Sequence, residues 1–313
     1  MRKRILAQES LFVISANKKP DIMPTKKISA TITILLSLTM IVSLVTSCRH
    51  SQPDGLQFVS SNKAGPRQFA VSGLVIVTHG WIEKGHGGWP EDMAAAISKR
   101  VDANSWLCGY FDWSEGAMAI NATDAARYAR DMAGPRLAKE IIKLNTNFQH
   151  IHLLGHSSGC WAISEAAKIL AKRTKTDIHL TFFDAYVPTN WQESSLGDVN
   201  PAAGADYWAD HYYTRDYTLG WTEYNLSWAH NVDVTEIDQI IKDHNFPKEW
   251  YYATIAGKYP KGHLLDDRKL VYTADGVMYG FARSREASEP NEWKKSIKLP
   301  IGNRAIKLKE KKL

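Results

Sequence analysis

The sequence predicts an α/β fold, a mostly parallel sheet covered by helices on both faces. Apolar runs of strand length alternate with segments of helical periodicity from Val71 to Asp184. The strand candidates are largely apolar on both faces, as in sheets buried on both sides. One of them, Ile151-His152-Leu153-Leu154, runs into Gly155-His156-Ser157-Ser158-Gly159, a glycine-flanked turn that leads directly into a helix.

Taken in order, Ser72 to Thr78 is the first strand candidate and ends in His79-Gly80-Trp81. Pro90 opens an alanine-rich helix to about Val101, at a first-turn position where the missing N–H of proline is not needed. Trp106 to Trp113 is the second strand. A helix from about Asp124 to Leu144 follows, which Gly134-Pro135 should kink or split. His150 to Leu154 alternate as a strand does, and Ala162, Ile163, Ala166, Ala167, Ile169 and Leu170 recur at helical spacing. His179 to Phe183 form the next strand, ending in Asp184. Further on, Leu270 to Thr273, Asp275-Gly276 and Val277 to Phe281 have the pattern of a hairpin with a tight two-residue turn.

The Gly-x-Ser-x-Gly turn carries the chemistry. A sharp strand-to-helix turn leaves no room for side chains beside the serine, so glycines flank it, and the strained backbone lifts the Ser157 hydroxyl clear of the sheet. The helix that starts there offers free backbone N–H groups to a developing oxyanion. Ser158 is the rival nucleophile but lies one place off the glycine spacing. A serine hydroxyl is a weak nucleophile at neutral pH and needs a base, and the base needs an acid to fix its tautomer.

With these residues in hand, the chain resembles the α/β-hydrolase fold, and within it the pancreatic-type lipase branch. The likeness rests on a strand ending in His79-Gly80, a strand ending in Asp112-Trp113, a long helix, the serine turn and a strand ending in Phe182-Phe183-Asp184-Ala185. It covers residues 72–190 well and the rest loosely. The usual opening strands have little sequence available, the cysteines of the secreted animal lipases are absent, and no C-terminal β-sandwich follows. The resemblance implies a catalytic set of Ser157, Asp184 and a later histidine, with the backbone N–H groups of Ser158 and Trp81 as oxyanion donors. His244, in Asp243-His244-Asn245-Phe246-Pro247 before a proline-started helix, is the preferred base, and His230 is the alternative. His211 and His263 have charged neighbours and are expected at the surface. Asp198, Asp206 and Asp210 are reserve acids in polar, loop-like sequence, and Asp112, which precedes the nucleophile, is expected to order a loop.

The fold further implies a cap over about 188–240, where Trp191, Tyr207, Trp208, Tyr212, Tyr213, Tyr217, Trp221, Tyr224 and Trp228 either line an acyl pocket or form the cap's own core. It also sets the strand ending at Trp113 and the serine-turn strand on either side of Ser72–Thr78. Cys108 and Cys160 are then about two strand spacings apart, too far for a disulfide. The activity implied is hydrolysis of a carboxylic ester or lipid-like small molecule through an acyl-enzyme, with no cofactor. An amidase or peptidase using the same residues and a non-catalytic binding lipoprotein are the alternatives. No Cys/His spacing resembles a zinc site, and none is expected. His150 and His152 share a strand face but have the pattern of neutral core histidines.

The N-terminus points to export. Ile28 to Ser47 is uncharged, with Lys26 and Lys27 before it and small residues after it, the layout of a secretory signal. Val45-Thr46-Ser47-Cys48 resembles the lipobox of bacterial lipoproteins, which implies lipidation of Cys48, a signal over 1–47 and a membrane-anchored mature protein on the periplasmic or cell-surface side. Met23 is an alternative start, and an uncleaved anchor is the competing interpretation because the stretch is just long enough to span a bilayer. Residues 48–65 are polar and suit a flexible tether, 66–290 the hydrolase domain and 291–313 a basic tail.

The sequence carries 39 Lys+Arg against 33 Asp+Glu. Seven of the basic and two of the acidic residues lie in 1–47, which leaves a mature charge of +1, and residues 294–313 alone carry +7. Basicity therefore sits in the signal and the tail, and no nucleic-acid partner is expected.

Overall fold

Every residue of Gly73–Thr78 (β2) is buried, because its side chains point alternately into two separate cores. Leu74 and Ile76 face one, Val75 and Val77 the other. The protein is described by a computed structural model that covers residues 54–59, 71–189, 191, 195–215, 221–237, 243–259, 279–288, 293–294 and 305–308.

Around β2 lie Gly55–Phe58 (β1), Trp106–Asp112 (β3), His150–His156 (β4), Asp177–Phe183 (β5), Tyr207–Tyr213 (β6), His230–Asp233 (β7) and Ile306–Lys307 (β8). They form one sheet in the order β1-β3-β2-β4-β5-β6-β7-β8. Only β1 runs antiparallel, against β3. The remaining neighbours are parallel, with Val75 opposite both Cys108 and His152.

Helices cover both faces. Trp89–Ser98 (α1) starts with Pro90 in its first turn and covers β2 and β3 on the Val75 face. The long helix expected over 124–144 is broken into Ala122–Tyr128 (α2), a π-helical turn at Ala129–Ala133 and Gly134–Lys143 (α3). The break falls at Gly134-Pro135, since Pro135 has no N–H to continue the ladder. The start lies two residues earlier than expected because the Asn121 side chain accepts from Asp124 N at 2.9 Å, a cap worth about 1 kcal/mol. Gly159–Ala171 (α4) packs on α3 and on β4 on the Leu74 face. Phe246–Ala256 (α5) joins α1 on the other face and ends at Gly257, whose φ of 79° closes the helix in the left-handed conformation.

Three sequence-based boundaries and the placement of two residues need correction. β1 lies inside 48–65, so the hydrolase domain begins before residue 66 and the expected tether is interrupted. The segment expected to form a cap supplies β6 and β7 to the main sheet, and Trp208, Tyr212 and Tyr213 are core residues there. Tyr207–Tyr213 is buried from Trp208 onward, so its rings fill the interior of the sheet layer. The basic tail contributes β8. Asp210 and His211, expected in a loop and at the surface, are interior residues of β6.

Cys108 and Cys160 are both free and buried. They belong to the cores on opposite faces of the sheet, so no bridge can form between them. Burial is the main reason that both thiols have raised pKa values, that of Cys108 to about 12. The expected hairpin lies outside the described residues except at its end, where Gly280–Arg283 is a 3₁₀ turn. Residues 1–47, Cys48 and His263 also lie outside them. No described helix is long and apolar enough to cross a membrane.

Candidate active site

The carboxyl ends of β2, β4 and β5 converge on Ser157. Its φ is 53°, a strained value for a residue with a side chain. The turn is held by Ser157 N donating to Phe183 O at 2.9 Å, which sets it beside the end of β5. The following helix presses against the loop after β2, and a Cβ on Gly159 would stand 2.1 Å from His79 O. Only glycine permits that approach.

Asp184, the next residue along β5, also has a positive φ, 40°. It is fully buried. Thr214 N donates to its Oδ1 at 2.7 Å and Thr214 Oγ1 to its Oδ2 at 3.3 Å. Asp184 Oδ2 also meets His244 Nδ1 at 3.0 Å. His244 therefore carries its proton on Nδ1, which leaves a lone pair on Nε2. Its side chain is 20% exposed, against none for Asp184.

His244 is fixed from a second direction. His156, immediately before Ser157, lies within hydrogen-bond distance of His244 O through Nε2 at 3.0 Å, and the two rings are 4.5 Å apart. His156 Nδ1 faces Glu83 Oε2 at 3.0 Å. Glu83 also accepts from Gly80 N at 2.7 Å and pairs with Lys248 in the first turn of α5. Lys248 in turn donates to Asn245 Oδ1 at 2.5 Å. Burial works against the Glu83 carboxylate, but His156 and Lys248 outweigh it and hold its pKa well below the usual range. Burial, with Lys248 nearby, lowers the His156 pKa to about 4. Sequence reading missed Glu83, His156 and Lys248. The one local signal was Lys248 in the first turn of a helix, where a cation is unfavourable without a partner.

The loop after β2 lies against the serine. A Cβ on Gly80 would meet Ser157 Cβ at 2.9 Å. Gly80 N is committed to Glu83 and Ile82 N to Ala117 O at 3.0 Å. Between them, Trp81 N has no acceptor among the described residues, and neither has Ser158 N. The Trp81 ring is anchored by Nε1 donating to Ala119 O at 2.8 Å.

Asp112 orders this loop, as expected. It accepts from Gly85 N at 3.0 Å, His86 N at 2.8 Å and Ser114 N at 2.9 Å. Burial opposes its ionisation, but hydrogen bonds from His79, Ser114 and His86 prevail and keep its carboxyl below the ordinary range.

The other candidates lie elsewhere. His230 opens β7, buried, with its ring stacked on Tyr279 at 6.1 Å. His211 has a structural position: its Nε2 accepts from Ala185 N at 3.2 Å and its Nδ1 faces Asn231 Oδ1 at 3.1 Å. Asp210 pairs with Arg283 and His179. Asp198 and Asp206 are exposed.

A mostly parallel eight-stranded sheet with helices on both faces and a strained serine at its carboxyl edge defines an α/β-hydrolase-like protein. The lipase family model matches residues 26–195, more than half of the chain, and the chain belongs to that family. It is 34% identical over 98 residues to pancreatic lipase-related protein 2 of Sus scrofa, covering 30% of this chain and 20% of the relative. It is 29% identical over 126 residues to pancreatic triacylglycerol lipase of Mus musculus, covering 38% and 26%. A third relative, at 32% over 94 residues and covering 29% and 19%, is the inactive pancreatic lipase-related protein 1 of Homo sapiens. The chain thus spans about a fifth to a quarter of the length of these relatives.

Proposed function

We propose that this protein is a serine hydrolase that cleaves carboxylic esters of lipid-like substrates through an acyl-enzyme. The observation that carries this reading is the 3.0 Å pair of Asp184 and His244, formed beside a serine held at φ 53°. Ser157 Oγ attacks the ester carbonyl carbon while His244 Nε2 takes the hydroxyl proton. Trp81 N–H and Ser158 N–H receive the negative oxygen of the tetrahedral intermediate. Collapse expels the alcohol, which takes the proton back from His244, and leaves the acyl group on Ser157. Water, deprotonated by His244, then releases the acid and restores the serine. Asp184 keeps the imidazole in the required tautomer and stabilises the imidazolium. The cycle needs no metal or cofactor.

The lipid-like class is favoured by exposed apolar side chains on the two loops joined beside Trp81. Ile82 is 61% exposed, Met118 57% and Ile120 95%. These loops are tied by Ile82 N donating to Ala117 O. An exported protein lipidated at Cys48 would bring such a site to a membrane surface.

A relative named as inactive favours a second reading, a lipoprotein that binds ligands without turning them over. Labelling of the full-length chain with a fluorophosphonate, with the modified residue mapped by mass spectrometry, separates the two. Labelling at Ser157 that disappears in Ser157→Ala and His244→Ala is the expected result. A folded protein that stays unlabelled would overturn the hydrolase reading.

A further inference from the structure

At the opposite end of β4 and β5 from the serine lies a second cluster of polar groups, on the Val75 face of the sheet. His150, His152 and His179 project from these strands and Glu286 reaches them from beyond the 3₁₀ turn at Gly280–Arg283. The three histidines are at most 1% exposed, and the Glu286 side chain is fully buried. The His152 and His179 rings stack with centroids 3.8 Å apart.

The hydrogen bonds of this cluster do not close. His179 Nε2 donates to Asp210 Oδ2 at 3.0 Å, which leaves a lone pair on Nδ1. His152 pairs through Nδ1 with Glu286 Oε1, and its Nε2 faces Thr181 Oγ1 at 2.8 Å. Glu286 Oε2, His179 Nδ1 and both ring nitrogens of His150 are buried without a partner among the described residues. Interiors rarely tolerate one such orphan, and here they come from three residues that face one another. One ligand atom each from His150, His179 and Glu286 lies within 4.8 Å of the others. A neutral imidazole carries one lone pair on its ring nitrogens and a carboxylate carries them on both oxygens, so each of the three side chains has a ligand atom to offer. Three such ligand atoms gathered within 4.8 Å of one another form a donor set for a cation.

We propose that His150, His179 and Glu286 bind a divalent transition-metal ion, with zinc the best match to two imidazoles and one carboxylate. Zinc ligands sit about 3.4 Å apart when bonds of about 2.1 Å are arranged tetrahedrally, so small side-chain rotations close the site. The surrounding groups are those that tune such sites. Asp210 fixes the His179 tautomer and is itself held by Arg283 Nε at 2.8 Å, while His152 orients Glu286. The ion has a structural role. Six residues of β4 separate His150 from Ser157, roughly 20 Å, and the ion ties β4 and β5 to the segment around Glu286. No local motif marks the site, because its ligands stand at positions 150, 179 and 286.

The test uses the full-length chain in detergent, purified through a tag without histidines, incubated with zinc chloride and gel-filtered. Metal content is measured by mass spectrometry, and cobalt is substituted for its visible absorption. About one zinc per chain, a thermal midpoint that chelator lowers and a cobalt spectrum with nitrogen ligation are expected. His150→Phe and Glu286→Gln should each reduce bound metal at least tenfold while fluorophosphonate labelling of Ser157 is unchanged. If His150→Phe fails to fold, Glu286→Gln, which preserves shape, decides. A folded wild-type chain that retains no metal, or a folded variant that retains it, would show a pocket bridged by water and overturn the proposal.

Discussion

His156 Nε2 stands 3.0 Å from the backbone oxygen of His244, so the residue preceding Ser157 holds the loop of the general-base candidate. Glu83 grips the other side of the same imidazole. The distance between nucleophile and base thus depends on a side chain that touches neither reacting atom. Replacing His156 by Phe keeps the volume and removes both contacts. A displacement of about 1 Å at His244 is enough to cost about 10²-fold in rate. The expected result is a fall of that order in kcat on a soluble ester, with KM little changed. Glu83→Gln should show a smaller loss in the same direction.

Asp184→Asn tests the acid. The amide would still fill its site against Thr214 but would favour the wrong His244 tautomer. A loss of about 10⁴-fold in kcat is expected, as in other serine hydrolases where the acid is amidated, with a thermal midpoint close to that of the parent. Retention of more than a tenth of the activity would remove Asp184 from the mechanism.

The two glycines that face the serine turn should separate folding from activity. A methyl group on Gly159 would overlap His79 O at 2.1 Å, backbone against backbone, with no side chain to yield. Gly159→Ala should destabilise the fold by about 1–3 kcal/mol, visible in urea unfolding. Gly80→Ala meets Ser157 Cβ at 2.9 Å. It should disturb the nucleophile and the Trp81 N–H more than the fold, and hydrolysis should fall further than stability.

Stability should decline on mild acidification. His211 is held neutral by burial, with its pKa lowered to about 4, against about 6.5 in an unfolded chain. The unfolded state binds more protons between these limits, so stability is full above about pH 6.5 and is lost as pH falls towards 4. Protonation of His211 at Nε2 would also remove the acceptor for Ala185 N, directly beside Asp184. Thermal midpoints measured from pH 7 to 4 should drop across that window. His211→Gln should flatten the slope by about one proton.

The elements that carry the serine turn were legible because they announce themselves locally. A buried parallel strand is apolar throughout, the turn needs glycine on both sides, and Asp184 ends a strand. His244 was legible through Pro247, which starts a helix at a fixed distance from it. Glu83 escaped notice because its partners His156 and Lys248 are 73 and 165 residues away. His211 was misjudged because polar neighbours suggest solvent, whereas Asp210 is neutralised by Arg283 and His211 is satisfied by Asn231 and Ala185. The expected cap shows the same limit. A run of aromatics suggests a separate lobe, whereas Tyr207–Tyr213 is a strand of the main sheet, buried from Trp208 onward.

The position of β1 bears on where the protein can work. Gly55 is the first residue of the sheet and pairs with Asp112 at the mouth of the site. If Cys48 carries the proposed lipid, six residues remain as the leash to Gly55, at most about 25 Å when fully extended. A leash that short confines the hydrolase to a thin layer above the bilayer. Substrate would then be met by lateral diffusion within that layer, and turnover would follow the surface density of the ester rather than its concentration in bulk.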